Sequence, residues 1–351
     1  MTVVLTGAAG FIGANLVHHL RKQWPETRII SVDKLTHGSC LAYLDPFRED
    51  ERHVFVRADI ADRTAMQAVF DEYEPSGVLH LAAESHVDRS ITDPLAFVHS
   101  NLVGTANLLD VARRAWKDRT DVRFLHVSTD EVFGELGETG LFSESTSYDP
   151  SSPYSATKAG SDHLVRAWHR TYGLPVLITN CCNNYGRFQF PEKLIPVVIG
   201  RALNGEPVPV YGQGTNVRDW LHVDDHCSAL ATVFESGTPG RTYCVGARAE
   251  ATNIDLVHRV LDLVDELTGR DSGSSRSLIE FVRDRPGHDF RYGIDPTRLE
   301  SELDWKPSVS LADGLRRTVA WYVENQELCT QLRSGNQEFE AAWYADRGGR
   351  R

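Results

Sequence analysis

The residues best suited to do chemistry lie between positions 129 and 158. Tyr154 and Lys158 are spaced so that a helix places both side chains on one face, one turn apart. A free tyrosine has a pKa of about 10, and a neighbouring ammonium group favours its phenolate, so Tyr154 can act as a base near neutral pH. Asp130 and Glu131 are adjacent, and two carboxyl groups in different environments can supply one acid and one base. Elimination of water requires such a pair.

These side chains need a rigid framework, and the first half of the sequence has the pattern of one. Short apolar or β-branched runs alternate with amphipathic stretches, which predicts an α/β Rossmann-type fold, a doubly wound parallel sheet covered by helices on both faces. The predicted strands are 3–6, 29–32, 53–56, 78–81, 124–128 and 176–179. The predicted helices are 12–23, 65–73, 98–115 and 158–172.

The second half has a looser pattern, broken by prolines after about residue 180. We expect residues 1–180 to form an NAD-binding Rossmann domain, with a later segment near 219–247 returning to it. Residues 181–351 are expected to form mainly a smaller C-terminal substrate-binding lobe and a tail, of which 347–351 are frayed.

The composition excludes several classes of protein. The chain has 351 residues, 41% of them hydrophobic, which is ample for a large core. A net charge of -12 repels nucleic acids and anionic membranes, so neither is an expected partner. Six cysteines without a repeating spacing indicate no disulfide framework and no metal site. A strand starts where a leader would lie, and no apolar run approaches the ~20 residues of a membrane span, so we expect a cytoplasmic protein.

A glycine-rich loop follows the first predicted strand and precedes the first helix. It reads Gly7-Ala-Ala-Gly10-Phe11-Ile12-Gly13, and such glycines allow a tight turn and close approach of the backbone to a pyrophosphate. Asp33 follows about twenty residues later, at the end of the next strand, where a carboxylate accepts hydrogen bonds from ribose hydroxyls. The pair predicts a dinucleotide site and favours NAD over NADP.

The glycine loop together with Tyr154-x-x-x-Lys158 resembles the extended short-chain dehydrogenase/reductase family. Six further blocks resemble the dTDP-glucose 4,6-dehydratases within it, and the resemblance runs from residue 7 to about residue 305. The blocks are 81–91, 128–134, 183–186, 189–196, 218–221 and 284–289.

The resemblance implies NAD as cofactor, a nucleotide-sugar substrate and a homodimer that pairs helices near 93–115 and 153–172. The implied NAD contacts are Gly7, Gly10, Phe11, Ile12, Gly13, Asp33, Lys34, Asp59, Ile60, Leu81, Ala82, Ala83, Tyr154 and Lys158. The implied substrate contacts are Ser85, His86, Asn183, Glu192, Lys193, Leu194, Arg218, Asn253, Asp289 and Tyr292. Lys193 and Arg218 are the expected partners of the diphosphate, because an acidic protein needs local cations to hold it.

The residues and the resemblance together suggest a mechanism for making a 4-keto-6-deoxyhexose, a step of deoxysugar biosynthesis. Tyr154 would take the proton of the glucosyl O4 while C4 is oxidised, with Thr129 bonded to the same oxygen and Lys158 holding Tyr154. Glu131 would then remove the C5 proton as Asp130 protonates the leaving O6 hydroxyl, and hydride would return to C6.

Alternatives remain at this point. A dehydratase acting on another nucleotide sugar, such as UDP-glucose, would carry the same Asp130–Glu131 pair. Related epimerases and decarboxylases lack that pair. A non-catalytic sensor of NAD or a nucleotide sugar is a remote third alternative, because a fold does not guarantee chemistry.

Overall fold

The computed structural model describes residues 1–284 and 286–334, so the tail expected at 347–351 lies outside the described residues. The strands among the described residues are β1 (Thr2–Thr6), β2 (Arg28–Asp33), β3 (His53–Arg57), β4 (Gly77–His80), β5 (Arg123–Thr129), β6 (Val176–Cys181), β7 (Asn183–Tyr185), β8 (Val208–Tyr211), β9 (Val217–His222), β10 (Thr242–Val245), β11 (Glu250–Thr252) and β12 (Ile279–Val282).

The α-helices of the described chain alternate with these strands. They are α1 (Phe11–Gln23), α2 (Arg63–Tyr73), α3 (Val87–Thr92), α4 (Pro94–Phe97), α5 (Thr105–Ala115), α6 (Pro153–Tyr172), α7 (Leu194–Asn204), α8 (Val223–Ser236), α9 (Asn253–Thr268), α10 (Thr297–Leu303), α11 (Leu311–Glu324) and α12 (Gln326–Ser334). Short 3-10 helices occur at Leu41–Phe47, Asp130–Phe133 and Ser274–Leu278.

The main sheet has seven strands in the order β10-β6-β5-β4-β1-β2-β3, and each neighbouring pair is parallel. The chain starts at β1, moves outwards to β3, and then crosses back to β4 on the other side of β1. Ligands bind at the carboxyl ends of the strands where such an order reverses. This sheet, with helices on both faces, confirms the predicted Rossmann-type fold.

Alternation along the strands divides the core between the two faces of the sheet. Val3 and Leu5 of β1 pack into the cluster that includes α1 and α8, whereas Val4 packs into the cluster that includes α2, α5 and α6. Because both faces are covered, β1 is a continuous apolar run rather than an alternating one.

One predicted helix differs from the structure. Residues 98–115 are not a single α-helix, because Val98–Gly104 form a wide π-helical segment before α5. The carbonyl of Asn101 in this segment accepts a hydrogen bond of 2.8 Å from Ser161 of α6. The Asn101 side chain bonds Thr157 of α6 at 2.9 Å. The wide turn thereby fixes the segment to the helix that carries Tyr154 and Lys158.

The later part of the chain builds a second apolar core and also rejoins the first. Helices α7, α9 and α11 pack around β8 and β9 in a cluster separate from the two cores of the main sheet. Two elements that lie between β9 and α9 along the chain join the main sheet instead: α8 packs against α1, and β10 pairs with β6. None of the helices in the described residues is long and apolar enough to cross a bilayer.

Candidate active site

A cavity of about 310 Å³ opens at the carboxyl ends of the central strands, where the strand order reverses. Its wall combines the glycine loop after β1, the ends of β2, β4 and β5, the start of α6 and the segment before α7. Of the residues predicted to act in catalysis, all line it: Thr129, Asp130, Glu131, Tyr154 and Lys158. The predicted cofactor residues in its wall are Gly7, Gly10, Phe11, Ile12, Gly13, Asp33, Lys34, Ile60, Leu81, Ala82 and Ala83.

The glycine loop is packed so closely that side chains cannot replace its hydrogens. A Cβ atom on Gly13 would lie 2.0 Å from the Gly7 carbonyl oxygen, and one on Gly7 would lie 2.8 Å from the Ala82 amide nitrogen. Gly7 also has a φ of 71°, which is a left-handed conformation. Helix α1 begins at Phe11, so its N-terminal N–H groups face the cavity, as a pyrophosphate requires. The loop fits NAD.

The carboxylate of Asp33 is held in place at the end of β2. Its Oδ2 accepts from the Ala9 amide at 3.0 Å, and its Oδ1 accepts from the Leu35 amide at 2.8 Å and the Ser39 hydroxyl at 3.0 Å. A fixed carboxylate at this point suits the ribose hydroxyls of NAD and opposes the extra phosphate of NADP.

Lys34 and Asp59 belong to the neighbouring edge of the site. Lys34 donates to the Ser100 hydroxyl at 2.7 Å, and its Nζ lies 3.6 Å from Glu84 and 3.9 Å from Asp59. Asp59 itself does not line the cavity, although Ile60 does. The Asp59 carboxylate instead accepts from the Ala61 amide at 2.9 Å, which shapes the turn after β3.

Helix α6 presents Tyr154 and Lys158 to the cavity. A capping box between Ser152 and Ser155 fixes the start of this helix. Burial and the nearby charge of Glu131 raise the pKa of Tyr154 well above its ordinary value, and a hydrogen bond from Thr129 opposes them only in part. The protein alone therefore does not give Tyr154 the near-neutral pKa that the sequence predicts, because the side chain is buried beside a negative charge. Lys158 Nζ donates to the Val127 carbonyl at 2.9 Å, and burial lowers its pKa to about 8.

Asp130 and Glu131 form the turn that follows β5. Thr129 Oγ1 accepts from the Glu131 amide at 3.2 Å and donates to Asp130 Oδ1 at 3.3 Å. Asp130 is 1% exposed, and its Oδ2 has no hydrogen-bond partner among the described residues. Burial, reinforced by the Glu131 charge, raises the pKa of Asp130 well above its ordinary value. Burial therefore favours the protonated form of Asp130, which is the form that a general acid requires.

The predicted substrate residues Ser85, His86, Asn183, Glu192 and Lys193 also line the cavity. Lys193 Nζ donates to the Ser85 carbonyl at 3.0 Å. Burial and the Lys193 charge lower the pKa of His86 to about 4, so its imidazole is neutral at pH 7. Burial opposes ionisation of Glu192, but a hydrogen bond from His37 and the neighbouring positive groups outweigh it and lower its pKa to about 2.

The other predicted substrate residues lie outside the cavity wall, and their contact with substrate stays a prediction. Leu194 begins α7. Asn253 begins α9, and its amide donates to the Asn216 carbonyl at 2.9 Å. Arg218 is 4% exposed, stacks 4.2 Å above the Tyr292 ring, and donates to the Asp289 carbonyl at 2.8 Å.

Comparisons with known proteins identify a matching family and several similar sequences. Residues 4–318 match the GDP-mannose 4,6 dehydratase family. The dTDP-glucose 4,6-dehydratase of Salmonella typhimurium is 48% identical over 95% of this chain and 96% of its own. A probable dTDP-glucose 4,6-dehydratase of Sinorhizobium fredii is 53% identical over 93% of both chains.

A solved structure gives the same result in three dimensions. The dTDP-glucose 4,6-dehydratase of Streptomyces venezuelae, solved with NAD bound, has a TM-score of 0.87 and 43% identity, covering 95% of this chain and 100% of the other. The chain belongs to the dTDP-glucose 4,6-dehydratase family.

In this family member, sequence reasoning missed several residues at the site. His37, in the loop after β2, hydrogen-bonds the Glu192 carboxylate, and its ring lies 4.7 Å from that of Phe190. Both His37 and Phe190 line the cavity. Because His37 and Glu192 are 155 positions apart, no local spacing indicates the contact. Two further missed residues, His126 and Asp162, lie behind Lys158.

Proposed function

We propose that this protein catalyses dehydration of dTDP-D-glucose to dTDP-4-keto-6-deoxy-D-glucose, a step of deoxysugar biosynthesis. The observation that carries the proposal is that Asp130, whose burial raises its pKa, lines one cavity with Glu131, Tyr154 and Lys158, next to the glycine loop. A dTDP-glucose 4,6-dehydratase and a probable one are each about half identical to this chain over nearly their full length. The enzyme is a hydro-lyase.

NAD, when bound, supplies the hydride acceptor for C4 and the hydride donor for C6, so the cycle has no net redox change. Tyr154 accepts the proton of the glucosyl O4 as the C4 carbonyl forms. The ammonium group of Lys158 stabilises the phenolate that this step requires. Thr129 reaches Tyr154 from β5 and orients the same oxygen.

The 4-keto group makes the C5 proton acidic, which prepares the elimination. Glu131 removes that proton, and the electron pair of the C5–H bond forms the C5–C6 double bond. The C6–O6 bond breaks as Asp130 transfers its proton to the leaving hydroxyl, and water departs. When C6 receives the hydride, Glu131 returns a proton to C5, which gives the 4-keto-6-deoxy sugar. The two neighbouring carboxyl groups serve as base and acid because burial keeps Asp130 protonated.

The nucleotide sugar is proposed to lie between the glycine-loop domain and the lobe formed mainly after residue 180. Lys193 and Arg218 are the proposed diphosphate partners, because the net charge of -12 gives no general attraction for an anion. The position of Lys193 in the cavity wall supports this role. Arg218 would have to exchange backbone carbonyl partners for phosphate oxygens.

We also propose a homodimer and a cytoplasmic location. Leu95 of α4 is 74% exposed, and Val103 of the π-helical segment is 47% exposed, close to α6. Apolar side chains exposed on neighbouring helices are typical of an interface between protein chains. Leu95→Lys should therefore give a monomer by light scattering, whereas Leu141→Lys, at an exposed loop position, should not. The six cysteines are all free, which suits a reducing compartment.

The function is tested by incubating the purified protein, without added NAD, with each of four nucleotide sugars: dTDP-glucose, UDP-glucose, GDP-mannose and UDP-N-acetylglucosamine. Loss of water is followed by mass spectrometry. Selective conversion of dTDP-glucose is the expected result, and turnover without added NAD shows a retained cofactor. Conversion of another sugar nucleotide alone contradicts the substrate assignment, and no conversion of any contradicts the activity.

A further inference from the structure

A group of buried polar side chains lies behind Lys158, outside the cavity wall. His126 of β5 is fully buried, and its Nε2 lies 3.5 Å from Lys158 Nζ and 3.2 Å from Asp162 Oδ1. Asp162 is also fully buried and follows Lys158 by one turn of α6. The catalytic lysine therefore has a carboxylate and an imidazole on its inner side, and the proposed reaction gives neither of them a role.

The Asp162 carboxylate is held by donors from three further elements. It accepts from the hydroxyl of Ser128 at 3.0 Å, the hydroxyl of Tyr148 at 2.7 Å and the side-chain amide of Asn180 at 3.1 Å. Burial opposes its ionisation, but hydrogen bonds from His126 and Tyr148 and the Lys158 charge outweigh it, so the pKa of Asp162 is below its ordinary value. A negative charge is thus fixed one helical turn from Lys158, with the His126 ring between the two groups.

The imidazole of His126 is neutral and lies between Lys158 and Asp162. Burial and the Lys158 charge lower its pKa to about 4. Its Nδ1 has no hydrogen-bond partner among the described residues, whereas its Nε2 faces the Asp162 carboxylate. The Nε2 atom therefore lies between the Lys158 ammonium group and the Asp162 carboxylate.

The other titratable groups around this cluster do not supply the same charge. His80 of β4 is paired with His126 across the sheet, and burial lowers its pKa well below the ordinary value, so it is neutral. Burial raises the pKa of Cys181 to about 12, so its thiol is neutral too. Arg166 lies beyond Tyr148, to whose hydroxyl it donates at 2.7 Å. Asp162 is the ionised carboxylate that raises the pKa of Lys158 against the effect of burial.

We propose that Asp162, aligned by His126, is a positioning residue that keeps Lys158 charged inside the protein and so sets the pH range in which Tyr154 accepts a proton. The inference extends the proposed function to residues that do not touch substrate or cofactor. It predicts that the charge of Lys158 depends on a carboxylate on the side of the lysine away from the sugar.

The direct test is the titration of Lys158 in NAD-loaded protein labelled with carbon-13 at lysine Cε. The Lys158 signal is assigned by its loss in Lys158→Met, and its resonance frequency is followed against pH by NMR. In the wild-type protein the midpoint should lie near pH 8. In Asp162→Asn the midpoint should fall by about one pH unit or more, because the substitution removes the negative charge that raises the pKa of Lys158. An unchanged midpoint overturns the proposal.

Tyr148→Phe is the matched control. It removes one hydrogen bond to Asp162 but leaves the carboxylate with its donors Ser128 and Asn180, so the midpoint of Lys158 should move less than in Asp162→Asn. This experiment needs no substrate, so it decides the inference even if wild-type protein dehydrates none of the nucleotide sugars and the proposed function fails.

Kinetics give a second readout. In Asp162→Asn the acid limb of the turnover profile should move to higher pH. The rate below the limb should fall about tenfold for each pH unit by which the limb moves, and it should recover above the limb. A purely structural role would lower the rate by one factor at every pH, and that result overturns the proposal.

If Asp162→Asn does not fold, the pH profiles of two variants at position 126 test the proposal instead. His126→Leu places an apolar side chain where the imidazole faces Asp162, so burial favours protonation of Asp162 and the acid limb moves in the same direction. His126→Gln keeps a donor and should restore the wild-type limb. Identical profiles for the two variants overturn the proposal.

Discussion

Replacing Asp130 by Asn should stop the reaction after the first oxidation. The substitution keeps the size of the side chain and the Oδ1 acceptor of the 3.3 Å hydrogen bond from Thr129. Asp130 Oδ2 has no partner among the described residues, so no other hydrogen bond is lost. Because burial raises the pKa of the Asp130 carboxyl, the neutral amide should leave the free energy of unfolding at neutral pH unchanged or higher. An amide cannot transfer a proton to O6, so the substitution should slow the elimination step.

The expected size follows from the role of Asp130. A positioned general acid contributes about 10²–10⁴ in rate, or about 3 to 5 kcal/mol of barrier. A single turnover with dTDP-glucose, quenched at intervals and analysed by mass, should show water loss slowed by that factor. The absorbance of reduced nicotinamide should persist over the same interval, because the oxidation step does not need Asp130.

Two results would refute this reasoning. Water loss in Asp130→Asn at nearly the wild-type rate would show that another group protonates O6. Slowing of the oxidation step by the same factor would show that Asp130 orients the sugar instead.

The raised pKa of Asp130 also has a consequence for stability. A group whose pKa is higher in the folded state stabilises fully below its unfolded pKa and loses that contribution as pH rises through the folded value. The melting temperature of the wild-type protein should therefore fall relative to that of Asp130→Asn as pH rises from about 4 towards the raised pKa of the folded state. A constant difference would contradict a protonated Asp130.

Three other substitutions separate the parts of the site. Glu131→Gln should spare the oxidation but abolish exchange of the C5 proton with deuterated water by NMR; normal exchange would remove Glu131 as the base. Gly13→Ala places a methyl group 2.0 Å from the Gly7 oxygen, so it should cost about 1–3 kcal/mol in thermal unfolding and release NAD during purification. Lys193→Met should raise KM about tenfold or more with little change in kcat, whereas the exposed Lys117→Met should change neither.

The sequence predicted the framework well because the framework depends on local patterns. Six apolar runs coincide with β1 to β6 to within about two residues, since strands buried on both faces carry a continuous apolar signal. The glycine loop could be predicted for a similar reason, because its spacing serves the backbone itself. The π-helical segment Val98–Gly104 could not, because it depends on hydrogen bonds to α6.

The site was predictable where its residues follow one another and not where the fold alone brings them together. Asp130 and Glu131 could be found because adjacency is visible. His37 and Glu192 lie in two loops that are far apart in the sequence and come together only in the fold. The stacking of Arg218 on the Tyr292 ring likewise depends on packing between β9 and a distant loop. The same is true of His126, whose apolar strand gives no sign that its ring faces Lys158.

The return of the chain to β10 limits how relatives of this enzyme can exchange specificity by recombination. Strand β10 is the edge of the main sheet beside β6, and α8 packs on α1. Both elements therefore complete the main sheet and its helices, although they follow β7 to β9 along the chain. A single crossover after β6 would give a chimera whose edge strand and covering helix come from the other parent. Transfer of a new sugar preference therefore requires a mosaic that leaves α8 and β10 with the parent that contributes β6.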